Sequence, residues 1–269
     1  MLNSLTIRYP ARTSGIRGFL NRFRRDVIDV EIVSARGVAL RRVTYTSFSG
    51  EVRLERLREA FDFDCGSIIC SDRIIFPHHS GFERFNSDAF SARLCTNLAL
   101  KALSKKEGAQ DVRLGIYDPE GAASDFVLAA LRYCREPVVV SDNTLAYSIA
   151  ANRALEELGA SVRVERDPGA LSECGLIIAP FRLTKPLRAF ENAVVLCVGA
   201  PDISGNIYGK YSFRTPNGFD KLKPRELSEE YFCSALYSLA SQHELGSIVP
   251  LSVSNSRGSQ TASSIAELI

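Results

Sequence analysis

Five apolar segments between residues 112 and 198 constrain the fold of this chain more than any other feature. Each is short, rich in Val, Ile and Leu, and nearly free of the polar alternation that marks a strand with one face in water. They cover residues 112–117, 138–140, 162–165, 176–178 and 194–198. Helical patterns separate the first three segments. Strands that are buried on both faces need helices to cover them, so this order predicts a parallel, doubly wound sheet.

Charge and composition exclude several classes of protein. The 33 basic and 31 acidic residues nearly cancel, which disfavours nucleic acid as a partner. No apolar run reaches the roughly 18 residues of a membrane helix, so we expect no membrane partner. The seven cysteines lack C-x-x-C spacing and are typical of core residues in a reducing compartment. These features predict a cytoplasmic protein.

The first sixty residues carry an excess of positive charge, with 12 basic against 6 acidic side chains. Most of the excess lies between Arg8 and Arg25, where apolar residues are interleaved at roughly helical spacing. A solvated basic face is the ordinary interpretation. Contact between this basic segment and a partner is the alternative that the sequence leaves open.

Ligands of open parallel sheets bind beyond the carboxyl ends of the strands, where the strand order reverses. That rule selects the loops that follow the five apolar segments. They cover residues 118–124, 141–144, 166–167, 180–188 and 199–202.

Residues 112–200 resemble the nucleotide-binding domain of shikimate-dehydrogenase-like and related Rossmann dehydrogenases. The likeness is carried by Asp142-Asn143-Thr144, which follow the second strand, and by the strand Gly175 to Pro180. Asp142 lies 21 residues beyond Gly121. The resemblance implies NAD or NADP as cofactor, with Asp142, Asn143 and Thr144 at the ribose. It also implies that Gly121 and Ser124 lie against the cofactor.

The glycine motif of those domains, G-x-G-x-x-G, is absent, so the first loop is a degenerate glycine loop. It reads Asp118-Pro119-Glu120-Gly121, in which Asp118 is a typical helix cap and Pro119 suits a first helical position. A pyrophosphate bound there would meet two carboxylates, at a cost of about 1 to 4 kcal/mol. Binding of a ligand without a phosphate at this loop stays open.

Other polar residues have both a functional and a structural interpretation. Arg182 and Lys185 follow the fourth strand and are suited to orient an anionic substrate, or they form a solvated surface. His78 and His79 are candidates for proton transfer, or part of a polar turn. Asp142 is equally suited to cap a helix. No catalytic residue is assigned, and no cluster of metal ligands is evident.

The predicted fold class is α/β, a doubly wound parallel Rossmann-like sheet with a smaller mixed α+β N-terminal domain. We expect a mixed domain over residues 1–107, in which the short link Ala35-Arg36-Gly37 between two β-rich runs predicts a hairpin. A Rossmann-like domain should cover residues 108–200, with a helix from about Thr144 to Leu158 that buries Leu155 and Leu158. A C-terminal hairpin with its turn at Thr215 to Gly218, a helix and a polar tail, over 201–269, should pack back on them. Part of the tail should be mobile or held by a partner.

The predicted function is binding of a small anionic ligand or nucleotide in a crevice between domains, with an NAD(P)-dependent oxidoreductase as one form of it. The alternative is a non-catalytic scaffold or interaction protein that uses the basic N-terminal segment. A homo-oligomer is compatible with either function.

Overall fold

A computed structural model describes residues 1–10, 24–61, 67–184, 187–199, 206–239 and 248–269. The strands are β1 Leu2–Arg8, β2 Val27–Ala35, β3 Val38–Thr46, β4 Ser67–Cys70, β5 Glu83–Arg84, β6 Leu114–Tyr117, β7 Val138–Val140, β8 Arg163–Glu165, β9 Leu176–Arg182, β10 Val194–Val198, β11 Ile207–Tyr208, β12 Lys210–Ser212, β13 Ser252–Ser254 and β14 Ser259–Gln260. The helices are α1 Leu54–Ala60, α2 Asp88–Leu103, α3 Ser124–Ala130, α4 Thr144–Leu158, α5 Glu229–Leu239 and α6 Ala262–Leu268.

The chain forms two compact units. The first contains Met1–Ser87 and Thr215–Ser241, and the second contains Asp88–Arg214 and Gln242–Ile269. This division differs from the predicted boundary at residue 107, because α2 packs on β9 and β10 and so lies within the second unit. It also divides the segment 201–269 between the two units.

The second unit contains a six-stranded sheet in the order β11-β10-β9-β6-β7-β8. Each neighbouring pair is parallel. The five predicted segments therefore do run in one direction, and β11 adds a sixth strand. From β6 the chain proceeds to β7 and β8 on one side, and to β9, β10 and β11 on the other. This is the 3-2-1-4-5-6 order of a Rossmann fold, so the predicted fold class is confirmed.

Apolar burial holds this sheet together. Every residue of β10 is buried, as are the first five residues of β9. Short 3-10 turns cover part of one face, and one of them approaches so closely that a Cβ added at Gly115 would lie 2.8 Å from Leu171 Cδ2. Glycine at position 115 thus allows the turn to pack on β6.

The first unit contains a five-stranded sheet in the order β2-β3-β1-β4-β5. Strand β1 runs parallel to both β3 and β4, whereas β2 is antiparallel to β3. The predicted β2–β3 hairpin is confirmed: Arg36 and Gly37 form its turn with φ values of 47° and 80°. Helix α1 contributes Leu57 to one apolar cluster, while α5 contributes Phe232 to another.

Three expectations about the chain after residue 144 are wrong. The polar tail is ordered by pairing, since β13 pairs with both β12 and β14, and α6 follows. No hairpin forms across Thr215 to Gly218, because β12 pairs with β13 instead. Leu155 and Leu158 are 64% and 50% exposed, so α4 buries a narrower face than its apolar pattern predicts.

Among the described residues, no helix has both the length and the apolar character that crossing a membrane requires. The six described cysteines are free and buried, as expected of core residues.

A buried carboxylate organises the hairpin side of the first unit. Asp26 accepts hydrogen bonds from the Tyr45 hydroxyl at 2.8 Å and from the Phe48 N–H at 2.9 Å. Burial would raise the pKa of Asp26, but the hydrogen bonds from Tyr45, Phe48 and Ser49 outweigh it and hold that pKa below its ordinary value. The ionised carboxylate is therefore the form that stabilises this unit.

We expect Asp26→Asn to destabilise the protein by roughly 1 to 3 kcal/mol at neutral pH. The difference should persist down to about pH 4, the ordinary pKa of an aspartate, and then shrink as the pH falls through the lower pKa of the folded state. The sign follows because the unfolded state binds more protons in that window. Urea denaturation at a series of pH values measures it, with the exposed Asp29→Asn as control. A difference that grows with acid would contradict the prediction.

Candidate ligand-binding site

Asp118 is the central side chain at the carboxyl end of β6. It is buried, and its carboxylate accepts hydrogen bonds from the backbone N–H groups of Gly121, at 3.1 Å, and Ala123, at 2.8 Å. In a dinucleotide-binding unit, the N–H groups of this loop face the pyrophosphate. The loop of this chain has wrapped around its own carboxylate instead.

Tyr147 closes the other side of the same carboxylate. This residue of α4 is fully buried, and its hydroxyl donates a 2.7 Å hydrogen bond to Asp118 Oδ2. Burial and the neighbouring Asp118 carboxylate raise the pKa of the Tyr147 phenol above its ordinary value. The phenol therefore stays protonated and acts as a donor, which ties the end of β6 to α4.

The predicted cap at Asp118 takes a different form in the structure. Helix α3 begins at Ser124, with Ala123 as its N-cap residue, so neither Asp118 nor Pro119 begins the helix. Asp118 stabilises the loop that leads to the helix.

Gly121 and Asn143, both predicted to bind a cofactor, lie together. Gly121 has a φ of 79°, and a Cβ added there would come within 3.2 Å of Ala146 and Asn143 atoms. The Asn143 side chain donates to the Glu120 carbonyl at 2.9 Å and accepts from the Ala146 N–H at 3.3 Å. These contacts close the first loop onto the start of α4.

The remaining predicted cofactor-binding residues are spread over two helix starts. Ser124 and Thr144 are the first residues of α3 and α4. Asp142 is exposed two residues beyond the end of β7. The capping role that competed with ribose recognition belongs to Asn143, so the Asp142 carboxylate is not used as the cap of α4.

The structure gives limited support for the two predicted substrate-binding residues, Arg182 and Lys185. Arg182 ends β9, and its Nε donates to Asp88 Oδ1 at 2.9 Å in an exposed ion pair. An incoming anion would have to compete with Asp88 for this guanidinium. Lys185 lies outside the described residues.

Aromatic side chains cover the point at which the strand order reverses. Tyr117 ends β6, Phe181 lies in β9, and Phe190 lies in a short turn before β10. The Tyr117 ring centroid is 5.4 Å from that of Phe181 and 5.9 Å from that of Phe190. The three rings pack as part of the apolar cluster on this face.

His78 and His79 form an exposed turn in the first unit. The contact that joins this turn to α1 uses backbone, since Arg58 donates to the carbonyls of His79 and Ser80. Within the described ranges, no group of three or more His, Cys, Asp or Glu side chains is placed to hold a metal ion.

These features define a Rossmann-type α/β protein with a self-closed first loop. No known protein family matches the sequence, and no curated protein is similar to it.

Several solved structures of NAD-dependent enzymes are similar to the chain in fold. One is the Δ1-pyrroline-2-carboxylate reductase of Thermococcus litoralis with NADH and L-proline, at 15% identity and a TM-score of 0.29, covering 41% of this chain and 37% of that one. Another is an archaeal alanine dehydrogenase dimer with bound NAD, at 19% identity and a TM-score of 0.29, covering 40% and 35%. The NAD complex of quinate dehydrogenase from Corynebacterium glutamicum shows 11% identity and a TM-score of 0.29, covering 84% and 88%.

The sequence resemblance to Rossmann dehydrogenases is confirmed at the level of the fold by the strand order of the chain itself. The chain spans little more than a third of the length of the first two solved structures. Similarity at this level carries no argument for a shared activity, and the fold assignment rests on the chain's own strand order and direction.

The hydrogen bond between Tyr147 and Asp118 gives a test of the closed loop. We expect Tyr147→Phe to lower the free energy of unfolding by about 1 to 3 kcal/mol, because it removes a donor from a buried carboxylate. Urea denaturation measures the change. Tyr133→Phe is the matched control, since the described residues provide no hydrogen bond to its hydroxyl. Equal losses in the two variants would show that the contact contributes nothing.

Proposed function

We propose that this protein binds a small anionic ligand, and that its Rossmann-type unit is degenerate in that it does not seat a dinucleotide on the first loop. One observation carries the proposal: the Asp118 carboxylate already accepts the Gly121 and Ala123 N–H groups. A pyrophosphate would have to displace a buried carboxylate from these donors. It would then face that carboxylate at close range, which is unfavourable.

The proposal that an anion binds rests on Arg182. Arg182 stands at the carboxyl end of β9, beside the point where the strand order reverses. A bidentate contact with a carboxylate or phosphate suits its guanidinium. Its ion pair with Asp88 is exposed, and exposed ion pairs contribute little to stability. Replacing Asp88 by an anionic ligand would therefore cost little free energy.

An NAD(P)-dependent oxidoreductase is the second candidate, and Asp142 favours it. This carboxylate is exposed at the end of β7, where Rossmann enzymes place the acid that binds the ribose hydroxyls. In that case Gly121 and Ser124 would lie against the cofactor. The predicted crevice between domains and a homo-oligomeric state stay predictions. The scaffold alternative rests mainly on residues 11–23, outside the described part of the chain.

Titration with NADH separates the two candidates. We expect no saturable enhancement of NADH fluorescence with the wild type up to millimolar cofactor, and no effect of Asp142→Ala. Saturable binding that Asp142→Ala abolishes would overturn the closed-loop proposal and support the oxidoreductase.

A double variant, Asp118→Ala with Tyr147→Phe, tests the cause. It frees the Gly121 and Ala123 N–H groups and removes the hydroxyl that would lose its acceptor. If it keeps the wild-type circular dichroism spectrum, we expect it to bind NADH more tightly than the wild type. If the double variant binds NADH no more tightly than the wild type, Asp118 is not the group that blocks the cofactor.

A further inference from the structure

A cavity of about 660 Å3 opens in the first unit, at the carboxyl ends of β1 and β4. Its lining includes residues of β1, the segment that follows β4, and part of α1. Ligand sites in proteins commonly have volumes of about 300 to 1,000 Å3. The cavity is therefore large enough for a small organic molecule.

The position of the cavity in the sheet is the one that favours ligand binding. Strand β1 lies between β3 and β4. The next two strands in the chain, β2 and β3, lie on one side of β1, and β4 and β5 lie on the other side. The strand order thus reverses between β1 and β4. Crevices outside such a reversal are the general ligand sites of open sheets with parallel strands.

The base of the cavity is apolar. Leu5 of β1 and Leu57 of α1 are 2% and 0% exposed, and both line it. Ile74 and Phe76 also line it and pack, partly buried, on the same apolar cluster. An apolar ligand body would gain free energy by leaving water for the accessible surface of Ile74 and Phe76.

Two charged side chains of opposite sign, Glu226 and Arg73, line the cavity. Glu226, on the lining, already accepts a hydrogen bond from the Thr6 hydroxyl. Arg73 is exposed on the same lining, and among the described residues its guanidinium has neither an ion pair nor a hydrogen bond. A guanidinium in this state is suited to a carboxylate.

We propose that this cavity binds a small organic anion with an apolar body, of the aryl- or alkyl-carboxylate class. The body packs on Ile7, Ile74 and Phe76, which cover Leu5 and Leu57, and the carboxylate pairs with Arg73. This cavity would be the site, in the first unit, of the anion binding proposed above. The negative charge of the ligand rests on that proposed function.

The test compares 4-phenylbutyrate with 4-phenylbutylamine, which share an apolar body and differ in charge, on the full-length protein. Calorimetry should give saturable binding of the carboxylate and at least about tenfold weaker binding of the amine. Arg73→Gln should weaken the carboxylate by about tenfold or more, as expected for loss of a charge-assisted contact. The exposed Arg257→Gln, which makes the same change in net charge, should leave the affinity unchanged.

Val52→Trp provides a variant that fills the cavity without changing charge. Val52 lines the cavity and is only partly buried, and the chain has no tryptophan, so the new side chain also reports on its surroundings. We expect it to abolish phenylbutyrate binding while the wild-type circular dichroism spectrum is retained. Amide chemical shifts of the wild type should change at residues 5–7 and 71–76 on addition of the carboxylate.

Three results would overturn the proposal: no saturable binding of phenylbutyrate, equal affinity for the amine, or binding that survives both Arg73→Gln and Val52→Trp. Loss of affinity in Arg182→Gln, with Arg73→Gln unaffected, would overturn the cavity but support anion binding at the six-stranded sheet. Failure of the cavity and failure of the proposed function are therefore distinguishable.

Discussion

Burial of both faces of the six-stranded sheet is the constraint on which the second unit depends. Strands such as β10, with no residue left in water, require cover on each side, and the chain supplies it with helices on one face and short turns on the other. Because the strands are parallel, all their carboxyl ends lie at one edge of the sheet. The position of every candidate residue in this unit follows from that arrangement.

At this edge, the protein uses its own groups where a nucleotide-binding unit would use a ligand. The Asp118 carboxylate satisfies loop N–H groups that would otherwise need an external anion, and Tyr147 secures it. The Tyr117, Phe181 and Phe190 rings pack at the same reversal of strand order. The sheet of the first unit has a reversal of the same kind, and a cavity lies there whose Arg73 guanidinium has no partner within the described part of the chain. The contrast between the two edges favours the first unit as the place for a ligand.

Local sequence signals predicted much of the fold. The unalternated runs predicted the parallel strands, and the Arg36-Gly37 turn predicted the hairpin. The patterns failed where contacts between distant parts of the chain determine which residues are buried or paired. Leu155 and Leu158 fit an apolar helix face, but the neighbouring elements cover only Tyr147, Ala150 and Ala154. The polar tail lacks an apolar pattern, yet backbone pairing with β12 orders it. Such pairing uses main-chain groups that every residue carries, so composition does not reveal it.

The sequence by itself determined the class of sheet, the absence of a regular glycine loop, and the presence of a carboxylate at the end of the first parallel strand. Only the tertiary structure decided what that carboxylate does. A residue such as Asp118 can cap a helix, repel a phosphate or fill a loop, and the choice depends on a partner 29 positions away, the Tyr147 hydroxyl. The cavity beside Arg73 is likewise a product of packing between β1, α1 and the segment after β4. Concave space arises from elements that are distant in the chain, and no local pattern encodes it.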